Sequence, residues 1–144
     1  MIALYEKILV PVDGSENCNT ALKEAGKIAK MSGGKITVMH VYPRWSTLIV
    51  DSKEALPEIL KNEATNILAK TKKQARDYGF EVETLLLDGD AVQEIVKTAN
   101  DKHFDLIVMG ATGKSNLTKL FLGSVSSGVL KNATCPVLIT KCLS

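Results

Sequence analysis

Residues 105–130 read DLIVMGATGKSNLTKLFLGSVSSGVL, and this stretch holds one complete unit of the fold. Its first part, residues 106–109, is apolar, unbroken and of strand length, which is typical of a strand buried on both faces of a parallel sheet. A loop with three glycines follows, and residues 124–132 carry apolar side chains at helical spacing. The stretch therefore predicts a strand, a glycine-rich loop and a helix in that order.

Four more apolar runs of strand length occur along the chain, and segments with helical periodicity separate the runs. They are KILVPV from Lys7, KITVMHVY from Lys35, VETLLL from Val82 and PVLIT from Pro136. Regular alternation of strands and helices indicates right-handed crossovers between parallel strands. The sequence therefore predicts a single α/β domain over residues 1–144. We expect a five-stranded parallel doubly wound sheet of order 3-2-1-4-5 with helices on both faces, in the Rossmann-like class.

Capping residues predict where the helices begin and end. The predicted bounds are Cys18 to Gly33 with Ser15 as the cap, about Pro57 to Tyr78 followed by Gly79, and a third start at the N-cap Asp90. The apolar stripes that we expect to face the sheet include Ile59 of the second helix and Leu130 of the fourth.

The composition excludes several classes of protein. Of the 144 residues, 45% are hydrophobic and 24% are charged, which argues against global disorder and a fibrous architecture. The formal net charge of +2 is too small to indicate a nucleic-acid or anionic-membrane partner. No apolar stretch has the length of a transmembrane span, and the first residues lack the features of a signal peptide. Three widely spaced cysteines fit a reducing compartment, so we expect a cytoplasmic protein.

Two unusual loops, residues 11–15 and 110–126, follow the first and fourth predicted strands. In an open α/β sheet, ligands bind beyond the carboxyl ends of the strands, at the point where the strand order reverses. With the predicted order, this point lies between the first and fourth strands. The fold and the local composition therefore predict one ligand site at the same place.

The fourth-strand loop has the composition of a phosphate site. Gly110, Gly113 and Gly123 allow the backbone to approach a ligand closely, and the helix that follows presents free N–H groups to an anion. Further candidate donors are Ser124, Ser126, Lys114 and Lys119. The alternative is a glycine-rich turn with a serine N-cap that serves only the fold. The combination of all three glycines at the switch point favours phosphate binding.

Two other nucleotide-binding motifs are excluded. Gly113-Lys114-Ser115 resembles the end of a P-loop, but that motif needs a glycine five residues before its Gly-Lys pair, where this chain has Val108. The G-x-G-x-x-G pattern of dinucleotide-binding folds is absent from the sequence as well.

Asp13 and Val41 are candidate contacts for the rest of a nucleotide. Asp13 follows the first strand, where a carboxylate can bind ribose hydroxyls or share a metal ion with phosphates. It can also cap the first helix, and the two roles are compatible. The second strand ends at residues 40–42, and the backbone donor and acceptor of Val41 can pair with the edge of adenine.

His40, His103 and Trp45 have weaker claims to a function. Neither histidine has another His, Cys or carboxylate at metal-ligand spacing, so packing or surface roles are favoured. Trp45 lies in the long irregular segment 43–55, which is interpreted as a lid or partner contact or, as the favoured alternative, as a variable surface loop.

The chain resembles the universal stress protein family, and specifically its ATP-binding subgroup. The family signature G-x2-G-x9-G-[ST] is matched by Gly110, Gly113 and Gly123-Ser124. The opening ILVPVDGSENCNTAL, with Pro11, Asp13 and Ser15 in place, and the ending NATCPVLIT also match, so the similarity spans nearly the whole chain.

The resemblance implies an adenine-nucleotide site with ATP as the ligand and Mg²⁺ or Mn²⁺ among the phosphates. The implied contacts are Pro11, Val12, Asp13, Val41, Gly110, Thr112, Gly113, Lys114, Ser115, Asn116, Gly123, Ser124, Val125 and Ser126. Asp13 is the candidate metal ligand among them.

The resemblance also implies a homodimer. A physical reason agrees with it, because the last predicted strand would be a short apolar edge open to pairing with another chain. The predicted interface residues are Val137, Leu138, Ile139 and Thr140.

Three functions are compatible with this sequence. The first is a nucleotide-dependent molecular switch in the stress response, read by an unidentified protein partner, with little or slow ATP hydrolysis. The second is an ATPase or nucleotidyl-transfer enzyme at the same site, which requires a positioned base. The third is a phospho-accepting receiver with Asp88 and Lys141, which is disfavoured because Asp13 stands without a second acidic residue beside it.

Overall fold

The computed structural model describes residues 4–14, 19–43, 55–111 and 122–141. The described strands and helices alternate along the chain and have the following bounds. They are β1 Lys7–Pro11, α1 Thr20–Ser32, β2 Lys35–Tyr42, α2 Ala55–Asp77, β3 Val82–Asp88, α3 Ala91–Asp101, β4 Leu106–Gly110, α4 Ser124–Asn132 and β5 Val137–Thr140.

The five strands form one parallel sheet in the order β3-β2-β1-β4-β5. The predicted sheet, strand order and helix arrangement are therefore confirmed. Because β1 and β4 are neighbours in the sheet but connect to β2 and β5 on opposite sides, the strand order reverses between them. This reversal places the switch point where the sequence predicts it.

Helices cover both faces of the sheet, and each face has its own apolar core. On one face, α1 and α2 pack through Leu22, Ala25, Leu68 and Ala75 onto strand residues such as Ile8, Val10 and Val38. On the other face, α3 and α4 pack through Ile95, Ala99 and Val129 onto Leu9, Met39 and Ile107. Consecutive residues of β1 thus contribute to opposite cores, which explains why its sequence is apolar without alternation.

Three of the predicted helix ends are confirmed. Asp90 caps α3, since its carboxylate accepts a hydrogen bond of 3.0 Å from the Gln93 N–H. Gly33 ends α1 in the left-handed conformation, with φ of 78°. Gly79 follows α2 with φ of 100°, and the bonds from the Gly79 N–H to the Arg76 carbonyl and from Phe80 N–H to the Ala75 carbonyl form a Schellman motif.

Other expectations need correction. Helix α1 begins at Thr20 rather than near Cys18, and the side chain of its N-cap residue Asn19 donates to the Tyr78 hydroxyl at 3.2 Å. Ser15, the predicted cap, lies outside the described residues. Ile59 and Leu130 are 56% and 47% exposed, so neither is buried against the sheet as the stripes predict. Helical spacing alone does not show where a covered stripe ends.

Strand β3 also departs from the expectation of burial on both faces. It is an edge strand, and its residues 83 and 84 are exposed. Along the described residues, no helix combines the length and the apolar character needed to cross a bilayer.

Candidate functional site

A crevice opens between β1 and β4 at their carboxyl ends. The pairing of β1 with β4 covers only Ile8↔Leu106 and Leu9↔Ile107. By contrast, β1 pairs with β2 as far as Pro11↔Met39, and β4 pairs with β5 as far as Gly110↔Thr140. The two central strands are therefore unpaired over their last residues, while each stays bonded to its outer neighbour.

Pro11 explains why the pairing of the two strands ends there. The Val12 N–H donates to the Met39 carbonyl at 2.8 Å, so the backbone of Val12 faces β2. Because backbone groups alternate between the two sides of a strand, Pro11 faces β4. Proline has no N–H, and the ladder with β4 therefore lacks a donor at this position. This signal was present in the sequence, but our sequence analysis used Pro11 only as a ligand contact.

The loop after β1 packs closely against α2 at Gly14. Gly14 has φ of 88°, and a Cβ built on it would lie 2.9 Å from the Cδ1 atom of Ile67 in α2. Only glycine combines this left-handed backbone with such a close approach to a neighbouring helix. Asp13 is exposed at the rim of the crevice, immediately before this turn.

The N-terminus of α4 lies on the β4 side of the crevice. The Gly123 N–H donates to the Ala111 carbonyl at 2.8 Å, and the Ala111 N–H donates to the Thr140 carbonyl at 2.9 Å. The first helical bond of α4 runs from the Ser127 N–H to the Gly123 carbonyl. The N–H groups of residues 124–126 consequently have no acceptor within the helix, and together with the helix dipole they favour an anion.

The two serines of this helix end differ. Ser124 is exposed, whereas Ser126 is 3% exposed and its hydroxyl lies 2.6 Å from the Ala111 carbonyl and 3.1 Å from the Gly123 carbonyl. A hydroxyl has one proton to donate, and carbonyl oxygens only accept. In this structure the Ser126 proton is therefore directed at these carbonyls and its backbone N–H stays open, while the hydroxyl as a donor to a phosphate stays a prediction.

The end of β2 forms the other side of the site. Since the Met39 carbonyl faces β1, the N–H and carbonyl of Val41, two residues later, face the same way. Val41 is half-buried, and the strand pairs on its other side with Leu87 of β3 at the same level. Its backbone donor and acceptor thus point past the end of β1.

The structure brings most of the predicted contacts to one edge of the sheet. Those at the ends of β1, β2 and β4 and at the start of α4 are Pro11, Val12, Asp13, Val41, Gly110, Gly123, Ser124, Val125 and Ser126. The others, Thr112 to Asn116, and the candidate Lys119 lie outside the described residues, as does Trp45. Ala111 was not singled out from the sequence, because its role is played by backbone groups.

The model for the universal stress protein family matches residues 4–141. The chain belongs to the universal stress protein family. Universal stress protein MJ0531 of Methanocaldococcus jannaschii is 43% identical over 141 residues, which cover 96% of this chain and 83% of that relative.

Solved structures agree with this assignment. The structure of MJ0577 of M. jannaschii, named a universal stress protein, matches with a TM-score of 0.82 at 34% identity, covering 98% of this chain and 99% of that one. A universal stress protein in complex with cAMP matches with a TM-score of 0.72 at 27% identity, covering 95% and 97% of the two chains. One from Archaeoglobus fulgidus in complex with dAMP has a TM-score of 0.67 at 26% identity, covering 94% and 98%. Two of these solved relatives thus hold an adenine nucleotide on the same fold.

Proposed function

We propose that this universal stress protein binds ATP and acts as a nucleotide-dependent molecular switch in the stress response, with little or slow hydrolysis. The observation that carries the proposal is the crevice between β1 and β4, which has the N-terminus of a nine-residue helix at its side. Two solved family members hold adenine nucleotides, cAMP and dAMP, which supports an adenine nucleotide as the ligand class.

In the proposed complex, the base lies at the end of β2 and pairs with the N–H and carbonyl of Val41. Pro11, Val12 and Asp13 flank the adenine and ribose, and Gly110 lies near the ribose. The phosphates bind the segment Thr112–Asn116 and the free N–H groups of residues 124–126. The positive end of α4 would compensate part of the phosphate charge.

A divalent cation is part of the proposal. The described residues hold no cluster of three His, Cys, Asp or Glu side chains that could bind a metal by itself. This suits Mg²⁺ or Mn²⁺ bound to a nucleotide, because Mg²⁺ keeps several waters and takes one or two carboxylates besides the phosphates. Asp13, exposed at the rim of the crevice, is the candidate carboxylate. The cation would neutralise phosphate charge there.

The switch is preferred to an enzyme for a chemical reason. Hydrolysis or nucleotidyl transfer needs a base that activates water or a second substrate, and Asp13 is the acidic side chain that the described part of the crevice offers. A ribose or metal role uses that carboxylate already. The alternative is an ATPase or nucleotidyl-transfer enzyme. It requires turnover well above the background rate, and Asp13→Ala must abolish this turnover.

The deciding experiment is to purify the protein gently, denature it and chromatograph the released small molecules. The stripped protein is then titrated with Mg-ATP by calorimetry. Release of ATP, or binding at micromolar concentrations or below, supports the proposal, and a turnover assay on the same sample separates switch from enzyme. If no nucleotide is released and none binds, the proposal is contradicted, and a dimeric interaction module is left as the function.

The proposal includes a homodimer in the cytoplasm that pairs through β5 and is read by a protein partner. β5 is an edge strand, and Leu138 is 37% exposed on it. An edge of this kind can pair with a second copy of itself around a two-fold axis.

A further inference from the structure

The β1/β2 ladder ends one hydrogen bond before the next position of the parallel pattern. Within the ladder, the Val12 N–H donates to the Met39 carbonyl at 2.8 Å. The next rung of a parallel ladder would join the Val41 N–H to the Val12 carbonyl. Within residues 4–14 and 19–43, that bond is not formed, and the paired register stops at Pro11↔Met39.

His40 is hydrogen-bonded to the carbonyl that would accept this missing bond. Its Nδ1 atom lies 2.7 Å from the Val12 carbonyl oxygen. Because a carbonyl oxygen only accepts, Nδ1 must carry the proton and donate. The side chain is 8% exposed and lies on the same face of β2 as Val38, where α1 and α2 cover the sheet. The ring is thus held beneath the loop after β1.

We propose that His40 is a positioning residue for the base. The carbonyl oxygen of Val12 could accept a second hydrogen bond. By bonding it, the ring orients the Val12 carbonyl away from Val41, which keeps the Val41 N–H out of the ladder and available to a purine. This inference rests on the proposed function, in which the base binds at Val41. It assigns a role to a histidine for which the sequence favoured a packing or surface role.

The chemistry of adenine fits such a donor. Its Watson–Crick edge carries the N6 amino group beside the N1 acceptor, so the Val41 carbonyl can accept from N6 while the Val41 N–H donates to N1. If the rung to Val12 formed instead, N1 would lose its partner and the buried end of the base would be left with an unpaired acceptor. His40 would therefore act on recognition of the base, with the phosphates unaffected.

The first test needs no nucleotide. Amide hydrogen exchange at Val41, followed by NMR, is compared in wild type, His40→Leu and His40→Asn, with the Met39 amide inside the ladder as the reference. Asparagine keeps an N–H donor at the position of Nδ1, whereas leucine fits the apolar face without one. We expect fast exchange at Val41 in wild type and His40→Asn, and exchange at least about tenfold slower in His40→Leu. A Val41 amide protected like Met39 in wild type, or unchanged by leucine, would overturn the geometry.

The second test concerns the base. Affinities for ATP and for 1-deaza-ATP, which has C–H in place of N1, are measured for the same three proteins. We expect wild type and His40→Asn to prefer ATP by about tenfold, and His40→Leu to bind both equally at the lower affinity. A merely structural role would weaken both ligands in parallel and keep their ratio, which would overturn the inference. Absence of binding by all three proteins would overturn the proposed function, while the exchange result would still report on His40.

Discussion

The hydroxyl of Ser126 donates a hydrogen bond of 2.6 Å to the carbonyl oxygen of Ala111. The same carbonyl accepts from the Gly123 N–H at 2.8 Å, and the Ala111 N–H is bonded to β5. Ala111, the residue after β4, therefore joins the first turn of α4 to β5 of the sheet. This link sets where the free N–H groups of α4 point.

The two serines of α4 provide a matched pair for this link. Ser126→Ala removes a buried hydrogen bond, so we expect the free energy of unfolding to fall by about 1–2 kcal/mol and ATP affinity to fall with it. Ser124→Ala changes an exposed side chain, and we expect stability within about 0.5 kcal/mol of wild type. Urea unfolding of both variants measures the difference. Equal stabilities would show that the link to Ala111 does not hold the helix end.

Gly123→Val tests the phosphate end of the proposed site. The backbone at Gly123 has φ of −67° and ψ of 169°, which valine adopts without strain, so the fold should survive. Its side chain would lie where the phosphates approach the helix N-terminus, and we expect ATP affinity to fall at least about 100-fold. Calorimetric titration with Mg-ATP measures this loss. Leu130→Ala, at the exposed far end of the same helix, is the control that should bind normally. Normal binding by Gly123→Val would place the phosphates elsewhere.

Gly26→Ala is predicted to destabilise the protein although alanine is the better helix former. A Cβ at Gly26 would lie 2.3 Å from the Cε1 atom of Phe80, whose ring packs against the core under α1. The propensity gain of about 1 kcal/mol is outweighed by displacement of the ring, so we expect a net loss of about 1–2 kcal/mol. Chemical denaturation measures it. The same change in a Phe80→Leu background should be neutral or stabilising, and a loss there too would remove the ring as the cause.

His103 offers the opposite case, a stabilising change. It follows α3 with φ of 57°, and the bonds from the His103 N–H to the Asn100 carbonyl and from the Phe104 N–H to the Ala99 carbonyl form a Schellman motif. Glycine has no steric cost at this φ, so His103→Gly should raise the free energy of unfolding by about 0.5–1 kcal/mol. His103→Val should lower it, since β-branched side chains are disfavoured there. Urea titration that ranks valine level with glycine would contradict the backbone explanation.

The proposed dimer predicts different effects of proline and alanine at one position of β5. The Pro136 and Thr140 carbonyls face β4, where they accept from Ile107 and Ala111, so the N–H of Ile139 faces outward. Ile139→Pro removes this donor, and Ile139→Ala loses comparable packing but keeps it. We expect the alanine variant to remain a dimer and the proline variant to dissociate in sedimentation velocity. Proline variants that sediment like the alanine variant would argue against main-chain pairing at this edge.

Much of the fold was predictable because local signals agreed with one another. The β2 run from Lys35 to Tyr42 matches the strand in the structure, and Asp90 and Gly79 mark helix ends as expected. Capping and hydrophobic periodicity depend on groups a few residues apart, which the sequence shows directly. Ile59 was wrongly placed inward because its exposure depends on what another part of the chain covers.

The candidate site, too, was predictable only in part from the sequence. By itself, the sequence determined the α/β class and the residue types that gather at the switch point. Alternation fits more than one strand order, and the pairing of the strands decided between them. Only the tertiary structure decided which backbone groups those residues leave open. Pro11 ends the pairing of β1 with β4, Ala111 holds the end of α4, and His40 is bonded to the carbonyl of Val12. Each of these depends on which donor meets which acceptor between strands far apart in sequence, and no local pattern records that pairing.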